Sequence, residues 1–340
     1  MNRRTLLLAA PVLLLTPRPT PAQPAPTPPA SSPFTPALDS ASSLAPLRTA
    51  HVAHNNQFAA ARAYNGASLT APANIKSASK SVMSALVGIA IDKGVLEGPD
   101  QPIAPLLARD LPDDPDPRLA KVTIGNLLSM QAGLARTSGP NYGRWIASGN
   151  WVRAALAEEF EAEPGGLMLY STGSTHLLSA ILTRKTGRPA LALARDWLGP
   201  VEGFAIASWD RDPQGIYFGG NQMAMRPSSL LAFGELYRRG GLTADGTRIV
   251  SQAWIDESWR VRTQSRFTGD GYGYGWFRRR LGGADVAYAW GYGGQMLYIA
   301  PERGLTLAMT SATDSPAGRS GHRDDLHRLA ATLIEAAGAG

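Results

Sequence analysis

Strand-like segments sit at both ends of this 340-residue chain, and helical patterns fill the middle. Near the front, residues 49–53 and 57–63 read as two strands around the turn-forming pair Asn55-Asn56. In the last third, Gly271-Tyr272-Gly273-Tyr274-Gly275-Trp276-Phe277 alternates as strands do. Gly282-Gly283 then offers a hairpin turn, and residues 286–290, 295–300 and 305–310 complete the strand set. Between the two groups, helical spacing covers residues 77–93, 124–130, 174–186, 227–238 and 251–258. A terminal amphipathic helix over about residues 325–336 places Leu326, Leu329, Leu333 and Ile334 on one side. Strands bury their apolar faces only by pairing and packing. The pattern therefore predicts an α+β fold: one antiparallel sheet closed by the two termini, flanked by helices, with a helical insert. The sheet would draw on residues of about 45–70 and 270–340, and the helical region on about 95–260.

The chain is 44% hydrophobic and 18% charged, ample for a single large core over residues 38–340. Met1-Asn2-Arg3-Arg4 followed by a short apolar run to Leu15 reads as a signal peptide over residues 1–23. The Arg3-Arg4 pair also fits a twin-arginine signal. The run falls well short of the roughly 20 residues a membrane-spanning helix needs, so no stable membrane insertion is expected after cleavage. A Pro/Ala-rich linker over residues 24–37 comes next, and the protein is expected to be exported, periplasmic or secreted. There is no cysteine, which excludes disulfides, thiol catalysis and a lipidated cysteine anchor. The net charge of +6 is modest and basic residues are not interleaved with aromatics, so no nucleic-acid partner is expected. Arg278-Arg279-Arg280, the longest basic run, is expected on a strand edge.

Ser77-Ala78-Ser79-Lys80 opens the apolar helix at residues 77–93 and carries the chemistry. On a helix, residues three apart share a face one turn apart. A serine hydroxyl needs a nearby base to become a nucleophile. Lysine can be that base when burial or neighbouring positive charge lowers its pKa. Of the five lysines, Lys80 alone has a serine three residues before it. The helix N-terminus would also favour negative charge developing on an acyl oxygen.

In this order and spacing the motifs resemble those of the serine β-lactamase-like hydrolases, the branch holding class C β-lactamases, DD-peptidases, esterases and 6-aminohexanoate-oligomer hydrolases. Ser77-Ala78-Ser79-Lys80 matches their nucleophile motif, and Val122 to Leu134 their structural helix. Residues 164–173, Pro-Gly-Gly-Leu-Met-Leu-Tyr-Ser-Thr-Gly, match their tyrosine motif, and Gly291-Tyr292-Gly293-Gly294-Gln295 their strand-borne third motif. The resemblance implies a β-lactamase/transpeptidase-like fold, with Ser77, Lys80 and Tyr170 as the catalytic set. It further implies an oxyanion hole from the backbone N–H groups of Ser77 and Gln295. Tyr292, Gly293, Gly294 and Thr172 would line the substrate site, the glycines letting an acyl group approach the strand. A phenol titrating near 10 would need a shift by an adjacent cation to serve as a base. Two departures bear on substrate. The third motif lacks the Lys-Thr-Gly cation and hydroxyl that would meet a β-lactam carboxylate. Thr172 stands where these relatives often have asparagine. An ester or small amide is the expected small-molecule substrate.

Other constellations are poor. No Gly-x-Ser-x-Gly elbow occurs, and none of His51, His54, His176, His322 and His327 belongs to an H-E-x-x-H motif. His176 is expected to pack, and the other four to be surface or structural residues. No metal or cofactor is expected. The Gly- and aromatic-rich segment over residues 136–151 either lines a cleft or covers the core. The reading is a serine hydrolase working through an acyl-enzyme. The alternatives are a D,D-peptidase, an acyltransferase, a weak β-lactamase, or a catalytically silent peptidoglycan- or peptide-binding protein.

Overall fold

The computed structural model describes residues 32–338. The signal peptide and most of the expected linker lie outside the described residues. An eight-stranded antiparallel sheet organises the chain. In sequence its strands are β1 (Leu47–His54), β2 (Gln57–Ala63), β3 (Thr263–Gln264), β4 (Gly271–Tyr272), β5 (Phe277–Leu281), β6 (Ala284–Gly291), β7 (Gln295–Ala300) and β8 (Leu305–Ser311). In space they run β2-β1-β8-β7-β6-β5-β4-β3, so the N-terminal hairpin docks on the last strand of the chain.

Alternation along the strands divides the core in two. Met296, Tyr298, Leu305, Leu307 and Met309 face a layer made by Leu326, Leu329, Leu333 and Ile334 of the C-terminal helix and by Phe34 and Leu38. Leu297, Ile299, Ala287, Ala289 and Ala308 face the opposite way, onto the helical body. The sheet is thus buried on both sides between helical layers. Four helices organise these layers: α1 (Ser79–Asp92), α2 (Thr172–Thr186), α3 (Pro227–Arg238) and α4 (His322–Gly338). Residues 79–90 of α1 are all buried, the polar Ser79, Lys80, Ser81 and Ser84 among them. The helix ends at Asp92 and is capped by Lys93, with Gly94 beyond it in a left-handed conformation (φ 69°).

Several sequence expectations need correction. The linker does not extend to residue 37. Phe34 and Leu38 are buried, Phe34 meets the His54 ring edge-on, and residues 35–40 are helical. Proline-rich composition had masked an apolar anchor. The C-terminal share of the sheet begins at Thr263 rather than near residue 270. The glycine–aromatic alternation at 271–277 is two strands, not one. Gly275 adopts φ 79°, donates to the Leu128 carbonyl and accepts from Ser81 Oγ at 2.6 Å, so the break clamps α1. The arginine run sits on inner strand β5, where Arg279 faces Asp270 and Arg280 faces Asp285. The hairpin at Gly282-Gly283 forms as expected, with Leu281 opposite Ala284 and both glycines at positive φ. Among the described residues, no helix is long and apolar enough to cross a membrane.

Candidate active site

Ser77 lies in a 3-10 turn, Lys76–Ala78, that leads directly into α1. Ser79 Oγ donates to the Lys76 carbonyl at 2.7 Å and braces the turn. The chain before the turn is pressed against the sheet. A Cβ on Gly291, the last residue of β6, would lie 2.1 Å from the Ile75 carbonyl oxygen. The nucleophile turn is therefore seated on the hairpin between β6 and β7, which carries residues 291–295.

One helical turn on, Lys80 is 1% exposed, and its Nζ lies 3.3 Å from Ser77 Oγ. The same nitrogen reaches Thr172 Oγ1 at 3.3 Å and the Gly220 carbonyl at 2.7 Å. All three partners are neutral oxygens. Burial pushes the amine down from 10.5 to about 7, and no carboxylate among the described residues forms an ion pair with it. The shift moves the amine toward the unprotonated form, the form able to accept a proton. A neutral amine has two N–H groups and one lone pair. Gly220 oxygen can only accept, so it fixes one N–H and helps turn the lone pair toward Ser77.

Tyr170 stands at the mouth of α2. Its neighbours are held by the Leu169 N–H to Met130 carbonyl bond (2.8 Å) and by Ser171 Oγ, which accepts from the Thr137 N–H (3.1 Å). Its half-buried ring stacks on Phe277 and meets Tyr272 edge-on, with Lys80 Nζ 5.2 Å from the ring centroid. Burial raises the phenol well above its usual pKa, and the hydrogen bond with Ser77 offsets only part of that rise. The phenol is thus moved away from, not toward, the range in which it would ionise near neutral pH. Burial moves the two groups in opposite directions, the amine down and the phenol up.

Thr172, the first residue of α2, is buried. Its Oγ1 faces Lys80 and Ser138 Oγ (2.9 Å), and its N–H donates to that same serine oxygen (2.9 Å). Ser138 and Gly220 are site residues that sequence reasoning missed, because neither lies in a motif. A signal for Gly220 existed only in three dimensions: a Cβ there would sit 2.7 Å from Lys80 Cγ.

The third motif forms the tip of the β6–β7 hairpin, with Gln295 opposite Gly291. The Gln295 side chain turns away from solvent, donating to the Ser311 carbonyl at 2.7 Å and accepting from the Ser311 N–H at 3.2 Å. Tyr292 is 47% exposed at the tip. Gly293 and Gly294 have an internal reason for being glycine, rather than only room for an acyl group. A Cβ at 293 would lie 2.3 Å from the Ala312 carbonyl oxygen, and one at 294 would lie 2.8 Å from Leu326 Cδ1. Both have positive φ.

The histidines are structural. His176 Nε2 pairs with Asp212 Oδ2 at 2.9 Å inside a cage of Trp145, Trp151 and Phe218, so the segment over 136–151 covers core. His51, His322 and His327 are buried, and His54 is half-buried. Among the described residues no three side chains are grouped to hold a metal ion.

The beta-lactamase family model matches residues 45–332. The chain belongs to the beta-lactamase family. Solved structures share its fold at low identity. EstCE1, described as a hydrolase with promiscuous acyltransferase activity, is 15% identical over 90% of this chain and 97% of its own, with a TM-score of 0.71. A penicillin-binding protein homologue from Caulobacter crescentus is 18% identical over 90% and 96%, with a TM-score of 0.68. A D-stereospecific amidohydrolase from a Streptomyces species is 16% identical over 87% and 97%, with a TM-score of 0.63. No curated protein matches the chain. The fold is therefore β-lactamase/transpeptidase-like, and the protein is a member of a beta-lactamase-fold hydrolase family.

Proposed function

We propose that this beta-lactamase family member is a serine hydrolase acting through a Ser77 acyl-enzyme on an ester or small amide. The observation that carries the reading is the buried Lys80 amine, 3.3 Å from Ser77 Oγ and surrounded by neutral oxygens. Neutral Lys80 takes the Ser77 proton as Oγ attacks the substrate carbonyl carbon. The oxyanion that forms is met by the backbone N–H groups of Ser77 and Gln295. Collapse of the tetrahedral adduct breaks the ester or amide bond. The proton passes from Lys80 through the Tyr170 hydroxyl to the departing alkoxide or amine. Water then enters, loses its proton by the same route reversed, and cleaves the acyl–Ser77 bond.

The third motif favours an ester or small amide over a β-lactam. Tyr292-Gly293-Gly294 offers no cation, and Thr172 is committed to Lys80 and Ser138. The leader over residues 1–23 supports export to the periplasm or the medium. Labelling with a fluorophosphonate tests the reading. Wild type should label, and Ser77→Ala should not. A folded wild type that resists the probe and turns over no ester would favour a silent binding protein instead.

A further inference from the structure

Six non-glycine residues among those described have left-handed backbones, and three of them are asparagines: Asn55, Asn56 and Asn65. The other three, Lys76 (φ 50°), Met130 (φ 63°) and Gln222 (φ 51°), all adjoin the site. Asparagine tolerates this conformation, whereas lysine and glutamine occupy it at a cost. Lys76 immediately precedes the nucleophile, and Gln222 lies two residues after the carbonyl that holds Lys80. The two side chains meet: Lys76 Nζ donates to Gln222 Oε1 at 2.9 Å. That oxygen also accepts from Asn74 Nδ2 at 2.9 Å, while Gln222 Nε2 faces Asp210 Oδ2 at 3.3 Å.

The arrangement leaves a cation under-used. An ammonium has three donors, and the glutamine oxygen takes one. Among the described residues no carboxylate forms an ion pair with Lys76; Asp210 is kept one amide away. Lys76 is also half-buried, so solvent cannot fully compensate its charge. Asp210 still acts on the ammonium across that amide, but a partly desolvated cation with spare donors, one residue before the nucleophile in sequence, can receive an anion.

We propose that Lys76 determines specificity by receiving a carboxylate carried by the substrate beside its scissile bond. This rests on the Ser77 hydrolase reading and adds a substrate class to it: anionic esters or small amides, such as monoesters of short dicarboxylic acids or esters of carboxylated alcohols. The cation missing from the third motif would then be supplied by the residue that precedes Ser77.

The test compares two matched substrate pairs. One is 4-nitrophenyl hydrogen glutarate against 4-nitrophenyl pentanoate, with the charge on the acyl side. The other is 3-acetoxybenzoate against phenyl acetate, with the charge on the leaving group. Each is assayed with wild type, Lys76→Met, Lys76→Arg and Gln222→Glu. The readout is the ratio of kcat/KM for the charged over the neutral partner, which a general loss of folding does not change. In at least one pair, Lys76→Met should lower that ratio by roughly tenfold or more, the scale of a hydrogen bond to a charged group. Lys76→Arg should keep most of the ratio. Gln222→Glu, which gives the ammonium an internal carboxylate, should lower it with the lysine still present. Ratios that Lys76→Met leaves unchanged in both pairs would overturn the inference while the hydrolase reading stands. Neutral-ester turnover by wild type that survives Ser77→Ala would instead overturn the hydrolase reading, and this inference with it.

Discussion

Lys80 and Ser77 are joined twice, once by sequence and once by space. They lie three residues apart where a 3-10 turn becomes a helix, and Lys80 Nζ sits 3.3 Å from Ser77 Oγ. The lysine is also anchored from two distant segments, by Thr172 and by Gly220. Its charge is suppressed by burial rather than matched by a carboxylate. That combination is what the proposed role of Lys80 as a base requires.

Removing the amine should therefore stop chemistry without emptying the site. Lys80→Ala should lower kcat for a short-chain 4-nitrophenyl ester by roughly a hundredfold or more, the scale of general acid–base help. Steady-state rates measured beside thermal melts check this. A variant within a few-fold of wild type would remove lysine from the mechanism.

The pH dependence comes from the direction of the Lys80 shift. The amine must be neutral to accept a proton, so kcat/KM should rise with pH around a midpoint near the lysine pKa of about 7. Stability moves with it. Between about 7 and 10.5 the unfolded chain holds a proton that folded Lys80 has lost, so stability falls as pH drops through that window. Below about 7 the full cost remains. Lys80→Met should accordingly raise Tm most below pH 7, with the gain fading toward pH 10.5.

Buried histidines predict acid sensitivity. Burial lowers His51 from 6.5 to about 4, against a smaller opposing effect of its Leu69 backbone hydrogen bond. It lowers His327 to about 3, with the nearby Arg279 and Arg323 adding to the shift. Both are neutral in the fold and charge on unfolding, so stability should fall as pH drops from 6.5 through 4 toward 3. Urea midpoints across that range measure it. His51→Gln should flatten the upper part of the fall.

Gly220 offers a packing test aimed at the base. A Cβ there would lie 2.2 Å from Thr175 Oγ1 and 2.7 Å from Lys80 Cγ, at φ 81°. Gly215 has nearly the same φ, 83°, with nothing within 4 Å of its added Cβ. Gly220→Ala should lose activity and about 1–3 kcal/mol more stability than Gly215→Ala, the cost of overpacking beyond the shared backbone strain. Equal losses would show that Lys80 does not depend on this contact.

How much was legible in sequence depends on the range of each interaction. Ser77 and Lys80 were readable because helix geometry fixes residues three apart. The sheet was readable because alternation and the Gly282-Gly283 turn are local signals. Ser138 and Gly220 were not: Ser138 reaches Lys80 only through Thr172, 34 residues away in sequence, Gly220 touches Lys80 directly from 140 residues away, and neither carries a motif. The strand break at Gly275 was hidden because aromatics favour strands, while the turn is dictated by contacts with α1 and Leu128. Phe34 was missed for a similar reason: a lone aromatic in a proline-rich tract has no periodicity until its pocket is known.

Intact-protein and peptide mass spectrometry, after rapid acid quench during turnover of a slow ester, looks for the acyl-enzyme itself. An acyl-enzyme mechanism at Ser77 predicts a mass increment confined to the peptide containing that serine and absent from Ser77→Ala. Ester turnover with no increment under burst conditions, or an increment on any other residue, would contradict it.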